Sequence, residues 1–196
     1  MSWRQHWSPD LKPGFVVDLS SILCVLPDRR ILERTVFPYI LERKECHRIV
    51  FVGCRWYTKR YNATFADKDY CTIDIDPKQQ KYGANNHIVD SLENLATHFK
   101  PNELDVIICN GVFGWGLDDK PAVERAFAAS FDCLRMGGLL VVGWNDITKR
   151  RPFSLDECDA LRQFDRFTLE GLGTWRYKTR SFNRHIFDFY AKGGEV

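Results

Sequence analysis

Five short stretches of this chain combine glycine, carboxylate, amide and aromatic residues in ways that suit ligand chemistry. Val52-Gly53-Cys54-Arg55-Trp56-Tyr57-Thr58 sets a glycine directly after an apolar run, where the missing Cβ lets a ligand approach the backbone. Asp74-Ile75-Asp76-Pro77 begins 21 positions after Gly53. A carboxylate at Asp74 can accept both hydroxyl hydrogens of a ribose, a use common to several nucleotide-binding folds, while Asp76 suits the cap of a helix that Pro77 opens. In Val89-Asp90-Ser91 the acid can accept an adenine amino hydrogen, and Ser91 equally suits the N-cap of the stretch SLENLATHF. Cys109-Asn110-Gly111-Val112-Phe113-Gly114-Trp115-Gly116 spends three glycines in six residues, an entropic cost that a mere connector does not explain. The fifth stretch, Leu134-Arg135-Met136-Gly137-Gly138, leads into a run that finishes Trp144-Asn145-Asp146. Asp146 and His185 are candidate general bases, although a carboxylate or a lone histidine at a strand end also serves as a capping or surface group.

These stretches need elements to position them. RIVFVGC (48–54), LDVIICN (104–110) and GLLVVGW (138–144) are nearly unbroken aliphatic runs, as expected of strands buried on both faces of a parallel sheet; YCTIDI (70–75) and NHIVD (86–90) are shorter strands of the same kind. Helix-like segments separate them, which makes the architecture α/β. Leu32, Val36 and Ile40 recur at fourfold spacing, predicting an amphipathic helix over about 28–44 that Pro38 kinks or divides. Residues 121–135 carry Ala122, Ala126, Phe127, Phe131 and Leu134 at helical spacing, with Gly137-Gly138 as the stop. A helix is expected over 154–164, then two strand-like pieces, 167–175 and 185–192, joined closely enough for an antiparallel pair. In an open parallel sheet ligands bind beyond the carboxyl ends of the strands, where the five stretches fall.

The 196 residues suit one domain with a core of its own: an N-terminal leader and helix over 1–45, able to act as a lid, and a core over 46–196. With 44% hydrophobic and 28% charged residues the chain is neither disordered nor built for a membrane, and no run approaches a membrane span. A net charge of +2 does not favour nucleic acid as a partner. Lys149-Arg150-Arg151 and Arg176, Lys178, Arg180 and Arg184 are basic runs of the sort that surfaces commonly carry. Seven scattered cysteines without a CxxC pair read as reduced thiols of a cytoplasmic protein, and the histidines show no spacing for a metal site.

Taken in order, the five stretches resemble the class I S-adenosylmethionine-dependent methyltransferases across about residues 45–192. The resemblance implies a Rossmann-like sheet, mostly parallel with a final antiparallel strand and helices on both faces. It also implies S-adenosylmethionine as cofactor, with Gly53, Cys54, Arg55, Tyr57, Asp74, Ile75, Asp90, Ser91, Asn110 and Gly111 as its contacts. The turn after the first strand touches the methionine part, Asp74 holds the ribose, Asp90 and Ser91 read the adenine, and the loop from Asn110 faces the transferable methyl. A small-molecule acceptor would then be lined by Phe113, Trp115, Trp144 and Asn145, with Asp146 and His185 as the weaker catalytic candidates.

The chain departs from the family where acid-x-Gly-x-Gly-x-Gly becomes Phe51-Val52-Gly53-Cys54-Arg55-Trp56-Tyr57. Arg55 then has to pair with a carboxylate, either the methionine end of the cofactor or one of the protein's own, and Trp56 or Tyr57 can wall the pocket. Val112 and Gly111 stand where amino-group methyltransferases carry prolines. A protein of this fold that binds the cofactor without methylating, as a cyclase, a lyase or a binding module, is the alternative. A nicotinamide dehydrogenase fits poorly, since Gly53-x-Arg55-x-x-Thr58 misses two glycines of its phosphate-binding turn.

Overall fold

The computed structural model describes residues 26–193. Most of the leader expected over residues 1 to about 27, including Trp3, Trp7 and Cys24, lies outside the described residues. Strands β1 (Arg48–Val52), β2 (Asp69–Asp74), β3 (Asn86–Val89), β4 (Leu104–Asn110) and β5 (Leu134–Asn145) pair in parallel in the order β3-β2-β1-β4-β5. The last long strand, β8 (His185–Ala191), adds antiparallel to β5, and the short β6 (Asp165–Arg166) and β7 (Arg176–Lys178) pair with its other side. No helix among the described residues is long and apolar enough to cross a membrane.

Period-two alternation explains why the central strands read as solid apolar runs. Ile49 and Phe51 of β1 join one core with Val106, Ile108, Val141, Phe187 and Phe189, while Val50 and Val52 join the other with Ile107, Val142 and Ile186. Helix α1 (residues 27–41) covers the first face with Leu32, Val36, Phe37 and Ile40, together with Tyr61 and Phe65 at and beside the one-turn helix α2 (Tyr61–Thr64). The second face is covered by α3 (Leu95–His98) and by α4 (Lys120–Cys133), which Asp119 caps by accepting the Ala122 N–H. Burying a Leu, Val, Ile or Phe side chain contributes about 1.5–3 kcal/mol, so each face is held by many such increments.

Helix α1 is divided, as Pro38 requires, but by a change of winding. It runs Pro27–Ile31, then a π turn Leu32–Val36 in which Phe37 N–H reaches the Leu32 carbonyl, then Phe37–Leu41. The N–H that closes the wider turn is that of Phe37, immediately before Pro38, which has none to donate.

The tail differs from expectation in two places. Instead of a helix over 154–164 there are two short 3-10 turns, Leu155–Glu157 and Ala160–Gln163, because Glu124 of α4 reaches across to accept the N–H groups of Asp159 and Ala160. Residues 167–175 are not a strand. Gly171 and Gly173 take left-handed φ values of 86° and 64° and fold the segment into a turn closed by a Leu169–Thr174 bridge, so that only its end residues, Phe167 and Trp175, bond to Phe189 of β8. Every residue of β8 is buried, including Asp188, whose carboxylate accepts two hydrogen bonds from Arg176 at 2.6 and 2.9 Å and one from Trp144 Nε1 at 2.9 Å.

Candidate functional site

Beyond the carboxyl ends of β1 and β4, where the strand order reverses, lies a cavity of about 380 Å³. The β1 turn is held by side chains where glycines would be expected. Arg55 N–H donates to the Thr58 hydroxyl at 3.0 Å, that hydroxyl donates to the Arg55 carbonyl at 2.8 Å, and Arg55 Nη1 donates to the Cys54 carbonyl at 2.8 Å. The one retained glycine, Gly53, has φ 85°, and a Cβ there would meet Val112 Cγ2 at 3.0 Å, so glycine serves both the turn and the close packing of the β4 loop.

Asp74 ends β2 with its carboxylate recessed in the cavity wall. Oδ2 accepts Cys54 N–H at 2.6 Å and Oδ1 accepts Asp76 N–H at 2.9 Å, which fixes the carboxylate plane. Arg55 Nη1 lies 3.5 Å from Oδ2, so the bulky replacement in the first motif is paired with an acid of this protein, while its side chain stays half-exposed. Asp76 does not line the cavity; it caps the turn Pro77–Tyr82 through the Lys78 N–H. Asp90 lines the cavity and accepts from Asn94 and Ser91 through Oδ1 and from His98 through Oδ2, bonds that hold its carboxyl below the usual carboxylate range. Ser91 caps the following turn at the Glu93 N–H.

The far wall is a chain of polar groups at the ends of β4, β5 and β8. Trp115 Nε1 donates to Asn145 Oδ1 at 3.0 Å, Asn145 Nδ2 contacts the Asn183 carbonyl and His185 Nδ1 at 3.2 Å each, and His185 Nε2 meets Asn110 Oδ1 at 3.0 Å. Gly143 makes room for the last contact: a Cβ there would lie 1.9 Å from Asn110 Oδ1 and 2.9 Å from His185 Nε2. Burial pushes His185 down to about 4, with nearby Asp28 acting upward and Arg29 downward. The Arg150 guanidinium stacks 3.4 Å from the Trp115 ring centroid and closes this wall from outside.

Of the residues expected to touch ligand, Gly53, Arg55, Tyr57, Asp74, Ile75, Asp90, Ser91, Asn110, Gly111, Trp115, Asn145 and His185 line the cavity. Cys54, Phe113, Trp144 and Asp146 do not. Cys54 reaches the site only through its backbone N–H, its thiol being buried and pushed up to about 11 by desolvation. Phe113 is fully buried and meets Trp144 and Phe153 edge-on, and Trp144 spends its indole N–H on Asp188. Asp146 pairs with Arg151 at 2.6 Å.

Asp28 and Arg29, at the start of α1, also line the cavity and are absent from the sequence-level candidates. Arg29 is 9% exposed; its guanidinium lies 4.2 Å from the Tyr57 ring centroid and makes one hydrogen bond among the described residues, to Tyr61 Oη at 2.8 Å. A signal existed in the sequence: Arg29 precedes Leu32 by three positions and so falls on the apolar stripe that α1 buries.

This arrangement fits a nucleotide-like ligand ending in a carboxylate. Asp74 and Asp90 offer acceptors, Gly53 and Gly111 leave the backbone bare, and Arg29 supplies a recessed cation with donors unused among the described residues. Residues 51–142 match the methyltransferase domain family. Among solved structures, the N-methyltransferase NodS from Bradyrhizobium japonicum WM9 in complex with S-adenosyl-L-homocysteine superposes with a TM-score of 0.56 at 14% identity, over 90% of this chain and 97% of NodS. A TehB-like S-adenosylmethionine-dependent methyltransferase from Corynebacterium glutamicum gives 0.56 at 15% identity, over 86% and 88% of the two chains. The CurJ carbon methyltransferase gives 0.58 at 14% identity, over 90% of this chain and 58% of its own. No curated protein matches the sequence significantly.

Proposed function

Because residues 51–142 belong to the methyltransferase domain family and the chain folds as the class I S-adenosylmethionine-dependent methyltransferases do, we propose that it transfers the cofactor's methyl group to a small-molecule acceptor held against the β4, β5 and β8 ends. The observation that carries this reading is the recessed Asp74 carboxylate at the switch point of the sheet, locked by two backbone N–H groups and facing the cavity.

The cofactor supplies an electrophilic methyl carbon, so the protein's task is alignment and exclusion of water. Asp74 accepts the ribose hydroxyls, and Asp90 with Ser91 borders the adenine. Arg29 binds the methionine carboxylate, one of the two partners that the sequence leaves open to Arg55. Arg29 is the better placed of the two, being buried with a single protein hydrogen bond among the described residues, whereas Arg55 is already engaged with Cys54 and Asp74. Asn110 and Gly111 border the methyl, and Trp115, Asn145 and His185 form the acceptor wall. His185 orients its neighbours there, since both ring nitrogens are in use. The modest cavity and the near-neutral net charge favour a small acceptor over nucleic acid. Six described cysteines are buried free thiols, in keeping with a reducing cytoplasm.

Calorimetric titration with S-adenosylhomocysteine tests the reading. Asp74→Ala should weaken binding by about 1.5–3 kcal/mol through loss of charge-assisted bonds. Asp76→Ala should bind as the parent does, and equal effects from both would show the ribose to lie elsewhere. The Arg55–Asp74 pair favours one second reading, a protein that binds the cofactor without methylating; cofactor binding with no labelled product from any acceptor would support it.

A further inference from the structure

The acceptor wall has a polarity that its single-role members fix. Indole Nε1 can only donate and a backbone carbonyl can only accept. Trp115 therefore faces the Asn145 oxygen and the Asn183 carbonyl faces the Asn145 nitrogen, whichever way the amide is first drawn. That nitrogen also faces His185 Nδ1, which must then accept, leaving the imidazole neutral with its hydrogen on Nε2. Nε2–H needs an acceptor, so the Asn110 atom 3.0 Å away is its oxygen. The two Nδ2 hydrogens of Asn110 are left without a partner among the described residues, on a side chain that lines the cavity.

Resting on the methyl-transfer reading above, we propose that this relay makes the protein a carboxylate O-methyltransferase, with Asn110 donating to an oxygen of an anionic acceptor. An ammonium group has only hydrogens to offer and would meet the wrong end of the amide. A phenol-type hydroxyl, with a pKa of about 10, must lose its proton before attack, whereas a carboxylate, near 4, is already deprotonated. Neither base candidate of this wall is spare, since His185 is committed at both nitrogens and Asp146 is paired outside the cavity; the other acid near His185, Asp28, belongs to α1. The charged groups that face His185 from α1, Asp28 and Arg29, are opposite in sign, so they do not exclude an anion. In the transfer a carboxylate oxygen forms its bond to the methyl carbon as the carbon–sulfur bond breaks with its electron pair going to sulfur. Anion and sulfonium become neutral ester and thioether, and no proton moves.

The test follows the Asn110 side-chain amide by nitrogen-15 NMR in the full-length protein, the signal being assigned by its loss in Asn110→Asp. Sodium acetate and methylammonium chloride serve as probes, each titrated with and without S-adenosylhomocysteine. Acetate should move the amide protons downfield in a saturable way, methylammonium should not, and the His185 ring should show protonated Nε2 and bare Nδ1 at neutral pH. A saturable methylammonium shift, no acetate shift in either state, or the opposite tautomer overturns the proposal. Failure of S-adenosylhomocysteine to bind by calorimetry would count against the cofactor reading instead, and the acetate titration without it would still report on the relay.

Discussion

Replacing Arg29 by methionine separates the two arginines that compete for the cofactor's carboxylate. The guanidinium is almost out of solvent, packs on Tyr57, and has one hydrogen bond among the described residues, to Tyr61, whose hydroxyl in turn donates to Glu33 at 2.7 Å. Methionine keeps comparable length and apolar volume, and Tyr61 keeps its bond to Glu33. Removing a buried cation with so few bonds also relieves its desolvation, so the unliganded protein should change in stability by no more than about 1 kcal/mol. Binding should change far more. Losing a charge-assisted bond to a carboxylate costs about 1.5–3 kcal/mol, or roughly 10- to 150-fold in Kd. The assay is paired calorimetry with S-adenosylhomocysteine and with 5′-methylthioadenosine, which has the nucleoside and the sulfur but no carboxylate. Arg29→Met should weaken only the first. Equal weakening of both ligands, or of neither, would refute the assignment.

Arg55→Gly restores the family residue, yet it should bind S-adenosylhomocysteine no more tightly than the parent, because Arg55 already rests on Asp74 and Cys54; a clear gain would identify Arg55 as an obstruction. Arg176→Met strips the fully buried Asp188 of its cationic partner, leaving only the Trp144 indole N–H, and should destabilise the fold by about 3–5 kcal/mol in denaturant titrations, an unchanged midpoint being the adverse result. His185 has its folded pKa depressed to about 4, so its contribution to stability is fully present above the ordinary histidine value and is lost as pH falls from about 6.5 to 4. In melting curves across that range the His185→Gln variant should show a shallower loss than the parent, and identical slopes would mean that the ring is not held neutral.

The central strands were legible because burial on both faces writes them as unbroken apolar runs, and the position of Asp74 at the cavity because it ends the second strand. The acceptor side was less so. Trp144 and Asn145 were both placed in the pocket, but neighbours on a strand point to opposite faces, and only Asn145 lines the cavity while Trp144 reaches Asp188. Phe113 was drawn into the site by its loop, although Trp144 and Phe153 offered it a core. The 154–164 segment has a helical pattern, but its conformation is set by Glu124, about thirty-five residues away in the chain, a contact that no local window contains. Arg29 was hidden by its type, since a cation on an apolar stripe reads as a flaw in the stripe until the cavity behind it is seen.

A crystal structure with S-adenosylhomocysteine bears most directly on the central claim. The ribose hydroxyls should lie within hydrogen-bond distance of the Asp74 carboxylate, the adenine beside Asp90 and Ser91, and the methionine carboxylate on Arg29. A ligand bound elsewhere, or one in this cavity with its ribose away from Asp74, would contradict it.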